Sequence, residues 1–233
     1  MELEGRPVLL TGASRGIGRA LARALAEGGA ELVLSSRGGE ELEAAARETG
    51  GEAVAADLSR GEEADRLAAR ARELLGGTPE AVVHDAGIFH LAPAHRTPPE
   101  LFARHLAVNL EAGFRLVRAF LPGMLERDRG LLVHMGSQAG RTALPGNAAY
   151  SASKFGLRGL HEVLTAELEG RGVHSLLVEP GPVDTAAWDP LEERLGRDLP
   201  ARERMLAPGE VAAAVVEAMG QDPPPSVLPL EPG

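Results

Sequence analysis

No cysteine occurs among the 233 residues, so disulfides, thiolate nucleophiles and cysteine-ligated metal are excluded. Aromatic residues make up 3% of the chain, with a single tryptophan, Trp188, and a single tyrosine, Tyr150. Only two asparagines and two glutamines are present, and of the 24 basic residues one alone is lysine, Lys154. Arginine in place of lysine, with few amides, fits a thermophilic source and equally a GC-rich genome. No apolar stretch approaches the length of a bilayer span, and the N-terminal MELEGRPVLLTG lacks a signal-peptide layout, so a cytoplasmic protein with no membrane partner is expected. A net charge of −10 with no dense run of arginines argues against a nucleic-acid partner and leaves small molecules or further copies of the chain. His84, His90, His95 and His105 match no ligand spacing of the HExxH kind, so no metal is expected.

What the chain does contain is alternation. Short apolar runs recur at PVLLTG (7–12), ELVLSS (31–36), EAVAAD (52–57), EAVVHDAG (80–87), GLLVHMGS (130–137), VHSLLVEP (173–180) and SVLPLEP (226–232). They lack strict polar alternation, which predicts strands buried on both faces. Between them lie segments with helical spacing, such as 17–29, 41–50, 64–77 and 99–127. Strand and helix in turn predict an α/β fold: a single-domain, doubly wound parallel sheet of about seven strands with helices on both faces, spanning residues 1–233. Gly28, Gly29, Gly50, Gly51, Gly76 and Gly77 fall where left-handed helix C-caps are expected. The stretch 181–208, with Trp188, reads either as a substrate loop closing like a lid or as a plain surface connection.

The first strand runs into TGASRGIG (11–18) and then a helix. Glycines at 12, 16 and 18 permit a tight turn and close approach of backbone to a pyrophosphate at the helix start. At the end of the second strand, where a carboxylate would favour the ribose 2′-OH of NAD, stands Ser35-Ser36-Arg37, and Arg15 lies inside the glycine loop. Two guanidiniums without an acid suit a 2′-phosphate, so NADP(H) is expected over NAD(H).

In YSASK, Tyr150 and Lys154 are i and i+4 and share a helix face. Moving a phenol from a pKa of about 10 to about 7 requires roughly 4 kcal/mol of preference for the phenolate, and a nearby ammonium and a nicotinium ring have the right sign. Tyr150 is thereby a candidate acid/base. Asn147, just before this helix, reads first as its N-cap and second as a substrate contact.

The glycine spacing of TGASRGIG, together with Ser137, Asn109 and YSASK, resembles the short-chain dehydrogenases/reductases over nearly the whole chain. The resemblance implies an Asn109-Ser137-Tyr150-Lys154 tetrad. Tyr150 would exchange a proton with a carbonyl oxygen, Ser137 would bond the same oxygen, and Lys154 would lower the phenol's pKa and bond the nicotinamide ribose. Asn109 would hold a proton-relaying water. It further implies cofactor contacts from Gly12, Ser14, Arg15, Gly16, Ile17 and Gly18 in the loop, Arg37, the adenine pair Asp57 and Leu58, Ala86 and Gly87, Tyr150 and Lys154, and Pro180, Gly181, Val183 and Thr185 over the nicotinamide. HDAG departs from the family's Asn-Asn-Ala-Gly, with Asp85 replacing an amide. Substrate contacts are expected from His90, Gln138, Leu144 and Trp188.

The function implied is an NADPH-dependent carbonyl reductase or alcohol dehydrogenase. The alternatives are NAD-dependent alcohol or sugar-alcohol oxidation, and a redox-sensing regulator without turnover, against which the complete tetrad argues. The tail SVLPLEPG lacks the Val-Asp-Gly-Gly ending of ketoacyl-carrier-protein reductases. Apolar stripes on 99–121 and 155–168 correspond to helices that form a four-helix bundle in the family, implying a homodimer or homotetramer.

Overall fold

The side chains of each central strand divide between two packed layers. Val8 and Leu10 of β1 (Pro7–Thr11), Leu32 and Leu34 of β2 (Glu31–Ser36), and Leu131 and Val133 of β5 (Gly130–Met135) enter one cluster, while Leu9, Val33 and Leu132 enter another. Period-2 geometry sends neighbours to opposite faces, so strands apolar at every position need a cover on each side. This is why the sequence shows runs rather than alternation.

The computed structural model describes residues 3–189, 199 and 201–232. With β3 (Glu52–Ala55), β4 (Ala81–His84), β6 (Val173–Pro180) and β7 (Val227–Leu230), the strands form one seven-stranded, wholly parallel sheet in the order β3-β2-β1-β4-β5-β6-β7. The expected doubly wound architecture is present. Chain order reverses between β1 and β4, whose residues pair in register from Val8↔Ala81 to Thr11↔His84. Ligands bind outside the carboxyl ends of strands at such a switch point.

One layer is covered by α1 (Gly16–Glu27), α2 (Glu40–Thr49) and α7 (Pro208–Gly220). The other is covered by α3 (Gly61–Leu74), α5 (Ala112–Glu126) and α6 (Ala148–Glu167). Each buries a stripe at helical spacing, as with Gly18, Leu21, Ala22 and Leu25 of α1. Phe120 of α5 is fully buried, with the Arg72 guanidinium 5.0 Å from its ring centre. Of the glycines expected to end helices left-handed, Gly29, Gly50, Gly76 and Gly77 have positive φ. Gly28 stays at φ −78°, and Gly51 is there for room, since a Cβ would come 2.9 Å from Leu32.

The segment expected over 99–127 is helical from Pro99 to Glu126, with one widened turn inside it. It comprises α4 (Pro99–Leu106), a π-helical turn at Ala107–Glu111, and then α5. His84, at the end of β4, meets this widened turn. Its Nε2 lies 3.2 Å from the Val108 carbonyl, which only accepts, so Nε2 carries the proton and Nδ1 accepts from Thr11 Oγ1 at 3.1 Å. Burial holds this imidazole neutral, with its pKa lowered to about 4. Gly113 leaves room for the ring, because a Cβ there would come 2.8 Å from His84 Cδ2. Wide turns of this kind often carry functional residues, and this one carries Asn109.

Candidate active site

Six of the strands and helices meet in one cleft of about 520 Å³ at the carboxyl edge of the sheet. Gly12, Ser14, Arg15, Gly16 and Ile17 line one end of it. The loop has no room for side chains at its glycines. A Cβ on Gly12 (φ +77°) would lie 2.8 Å from the Ala86 nitrogen, and one on Gly16 (φ +57°) would lie 3.3 Å from Thr185 Cγ2. Gly18 does not line the cleft; it lets α1 pack on the loop, since its Cβ would fall 2.2 Å from the Gly12 carbonyl oxygen. Arg15, the N-cap of α1, makes no capping bond with its side chain, and the first turn holds no acid. Bare amides at a helix start beside backbone too close for any Cβ form a cradle into which a pyrophosphate fits.

Beyond the loop, Ser36, Arg37, Asp57 and Leu58 line the same cleft, joined by Arg104 of α4, which sequence reasoning missed. Its only prior signal is its place on a helix leading to Asn109. The Asp57 carboxyl accepts from Ser59 N at 3.1 Å and Ser59 Oγ at 2.8 Å. These bonds, with the charges of Arg104 and Arg37, hold it below the usual carboxylate range. The end of β2 thus offers a serine and a guanidinium and no acid, with a second guanidinium across the cleft.

At the other end stand Ser137, Tyr150 and Lys154. Lys154 is buried, and its Nζ donates to the Met135 carbonyl at 2.6 Å and lies 5.6 Å from the Tyr150 ring centre. Burial lowers its pKa to about 8, opposed by the charge of Asp85. Burial pushes the Tyr150 phenol up, while a hydrogen bond with Ser137 pulls it down. Among the protein's own groups burial is thus the larger influence on the phenol, and the nicotinium ring expected beside it is not part of that balance. Ser137 Oγ accepts from Ala139 N at 3.1 Å, which orients the hydroxyl at the start of the following turn.

Asn109 is near but does not line the cleft. Its Oδ1 accepts from Ile88 N at 2.8 Å, and its Nδ2 donates to Ile88 O at 3.1 Å and to Ser153 Oγ at 2.9 Å. The side chain ties the loop after Gly87 to α6, so a water held by Asn109 would have to be met by its backbone. Ala86 and Gly87 line the cleft, and a Cβ on Gly87 would lie 3.4 Å from Asn109 Oδ1 and 3.8 Å from Lys154 Nζ.

Pro180, Gly181, Val183 and Thr185 form the wall that follows β6. Thr185 Oγ1 accepts from Ala187 N at 3.4 Å, which leaves its hydroxyl proton free to donate. Gln138, Leu144 and Trp188 also line the cleft, whereas His90 does not. Its neighbour Phe89 does, with its ring centre 4.8 Å from that of Tyr150 and 5.0 Å from that of Trp188, both edge-on. Trp188 Nε1 is anchored on the Val183 carbonyl at 2.9 Å. Asn147 lines the cleft as well; its side chain makes no capping bond, and its buried Oδ1 has no hydrogen-bond partner among the described residues. Of the loop expected over 181–208, residues 190–198 and 200 lie outside the described residues.

Comparison with known proteins shows a family and a shared fold. The family model for short chain dehydrogenases matches residues 6–196. D-threitol dehydrogenase of Mycolicibacterium smegmatis is 38% identical over 223 residues, covering 92% of this chain and 85% of that protein. The 3-oxoacyl-acyl-carrier-protein reductase of Vibrio cholerae serotype O1 is 33% identical over 221 residues, covering 92% and 90%. A metagenomic short-chain oxidoreductase solved in complex with NADP superposes with a TM-score of 0.83 at 34% identity, covering 100% of both chains.

Proposed function

The chain belongs to the short-chain dehydrogenases, a family of oxidoreductases, and from that premise we propose that it is an NADPH-dependent carbonyl reductase working reversibly as an alcohol dehydrogenase. The observation that carries the reading is the convergence of Ser137, Tyr150 and Lys154 on one end of a cleft whose other end is the glycine loop.

Bound NADPH supplies the hydride. The residues of the chain do the rest. Ser137 and Tyr150 offer two hydroxyls to a single carbonyl oxygen, where they stabilise the charge that develops on it. Tyr150 gives its proton to that oxygen and takes it back in the oxidative direction. Lys154, held by the Met135 carbonyl, keeps an ammonium under the phenol and faces the ribose position beside Gly87. Asn109 fixes the loop after Gly87 against α6, the helix that carries Tyr150 and Lys154. Phe89 and Trp188 exclude water from the reacting end, since their rings pack edge-on against each other and Phe89 packs against the phenol.

NADP over NAD is supported by Arg15 and Arg37, by Arg104 facing them, and by the missing acid at the end of β2. Self-association through α4, α5 and α6 is supported by exposed apolar side chains there: Phe102, Phe114 at 48%, Phe155 at 45% and Val163 at 54% exposure.

The test is a panel of hydroxyketones, aldehydes, 3-oxoacyl thioesters and quinones with NADPH and NADH, followed by loss of absorbance of the reduced cofactor. Carbonyl-dependent oxidation supports the proposal. Tight cofactor binding with no turnover on any carbonyl or alcohol would favour the regulator instead.

A further inference from the structure

Asp85 closes a gap in α1. That helix has neither a capping side chain at Arg15 nor an acid in its first turn, yet its Gly18 N–H is not left open. The carboxyl of Asp85, reaching over from the end of β4, accepts it. The contact is intimate: a Cβ on Gly18 would come 2.7 Å from Asp85 Oδ2, and one on Gly12 would come 2.9 Å from it. The same residue lies in the lining of the cleft, beneath the loop and on the Lys154 side.

An ionised carboxylate at this place does two opposed things. It satisfies the amide and favours the positive end of the α1 dipole. It also puts a negative charge under the amides that would receive a pyrophosphate, where two like charges in a region shielded from water repel. A neutral carboxylic acid keeps its carbonyl as acceptor for Gly18 N–H and removes the repulsion.

We propose that Asp85 is a positioning residue of the cofactor loop whose protonation is linked to cofactor binding: the chain takes up a proton at Asp85 as the dinucleotide pyrophosphate settles on the start of α1. This rests on the dinucleotide-binding reading of the loop. The titratable groups coupled to Asp85 are Lys154 and Tyr150 of α6, and the residues it lies against after β1 and on α1 are Gly12 and Gly18. Burial raises the Asp85 carboxyl to about 7, with Lys154 opposing. An anion bound above it raises the carboxyl further, so by linkage affinity is full below about pH 7, falls as pH rises through that value, and levels off above the bound-state value.

The experiment is calorimetric titration of the whole protein with NADPH and with NADH between about pH 6 and 8.5, in buffers of different ionisation enthalpy, for the parent and Asp85→Asn. NADH serves as control because a 2′-phosphate itself titrates near pH 6. Asparagine keeps an acceptor for Gly18 and cannot ionise. The expected result is proton uptake and a several-fold weakening of affinity across this range for the parent with both nucleotides, and neither for Asp85→Asn beyond what the 2′-phosphate contributes. Equal proton uptake and equal pH dependence in the two proteins would overturn the role of Asp85. Failure of both nucleotides to bind at any pH would overturn the cofactor reading, and this proposal with it.

Discussion

The Lys154 ammonium is fixed from two sides, donating to the Met135 carbonyl on β5 at 2.6 Å and lying 5.6 Å from the Tyr150 ring on its own helix. A compact head on a long stem reaches both. Arginine carries its charge on a broad planar group that spreads five donors, cannot release a proton, and does not fit the same point. Lys154→Arg is therefore expected to keep the fold and lose most of the turnover, while Tyr150→Phe still binds cofactor and loses about 10²- to 10⁴-fold in kcat, the range for a positioned acid/base. Circular dichroism with steady-state kinetics checks both, and near-parental turnover in either removes that residue from the mechanism.

Cofactor choice should follow Arg37. A charge-assisted hydrogen bond is worth about 1.5–3 kcal/mol, or roughly 10- to 100-fold. Arg37→Glu is expected to lower the ratio of kcat/KM for NADPH to that for NADH by at least that factor. Arg104→Ala should weaken NADPH more than NADH, since this guanidinium faces the same end of the cleft. An unchanged ratio in both variants would remove the 2′-phosphate reading.

The glycine loop, YSASK and the strand runs were legible because each rests on local chemistry: room for backbone, spacing on one helix face, and burial on both sheet faces. What was not legible depends on side chains from distant segments. Arg104, on α4, joins Arg37 and Asp57 in the cleft lining although it is far from both in sequence. Phe89 replaces its neighbour His90 in the lining because of the path the chain takes after Gly87, which Asn109 fixes through Ile88. Asn147 looked like a cap, and its backbone does start α6, but its side chain turns into the cleft lining instead. The π-turn was invisible for the same reason, since it forms where His84 of β4 meets the Val108 carbonyl.

That turn supplies a test of whether packing far from the chemistry sets the tetrad. A Cβ at Gly113 would come 2.8 Å from the buried His84 ring, which is held on its other side by Thr11. Gly113→Ala is expected to displace His84, release Val108 and shift Asn109, at a cost of about 1–3 kcal/mol in stability as for other overpacked cores. Activity should fall further than the loss of folded protein explains. Denaturant midpoints measured alongside kcat decide it: equal, small effects would mean the turn does not position Asn109.

Acid stability should turn on the histidine pair His84 and His134, which face each other in register on β4 and β5. Burial lowers His84 to about 4 and His134 to about 3, and neither ring nitrogen of His134 has a hydrogen-bond partner among the described residues. Both are neutral when folded and gain a proton near pH 6.5 when unfolded. The unfolded chain therefore binds more protons below that pH. The stability they contribute is complete above about 6.5 and declines as pH falls toward 4, by about 1.4 kcal/mol per pH unit for each. Asp85 works in the opposite sense, because its raised carboxyl is easier to bury neutral as pH falls from about 7 toward its unfolded value. One of the two histidine slopes is thus offset, so these three groups together contribute a net loss of about 3 kcal/mol between pH 6.5 and 4.5, and His105 and His161, which burial also lowers, add to it. His134→Leu removes a buried group without a hydrogen-bond partner among the described residues, so it should leave stability at pH 7 unchanged or raised and make the decline shallower by that histidine's own slope. Urea unfolding of both proteins at the two pH values measures this, and a decline as steep in His134→Leu as in the parent would show that the acid sensitivity lies elsewhere.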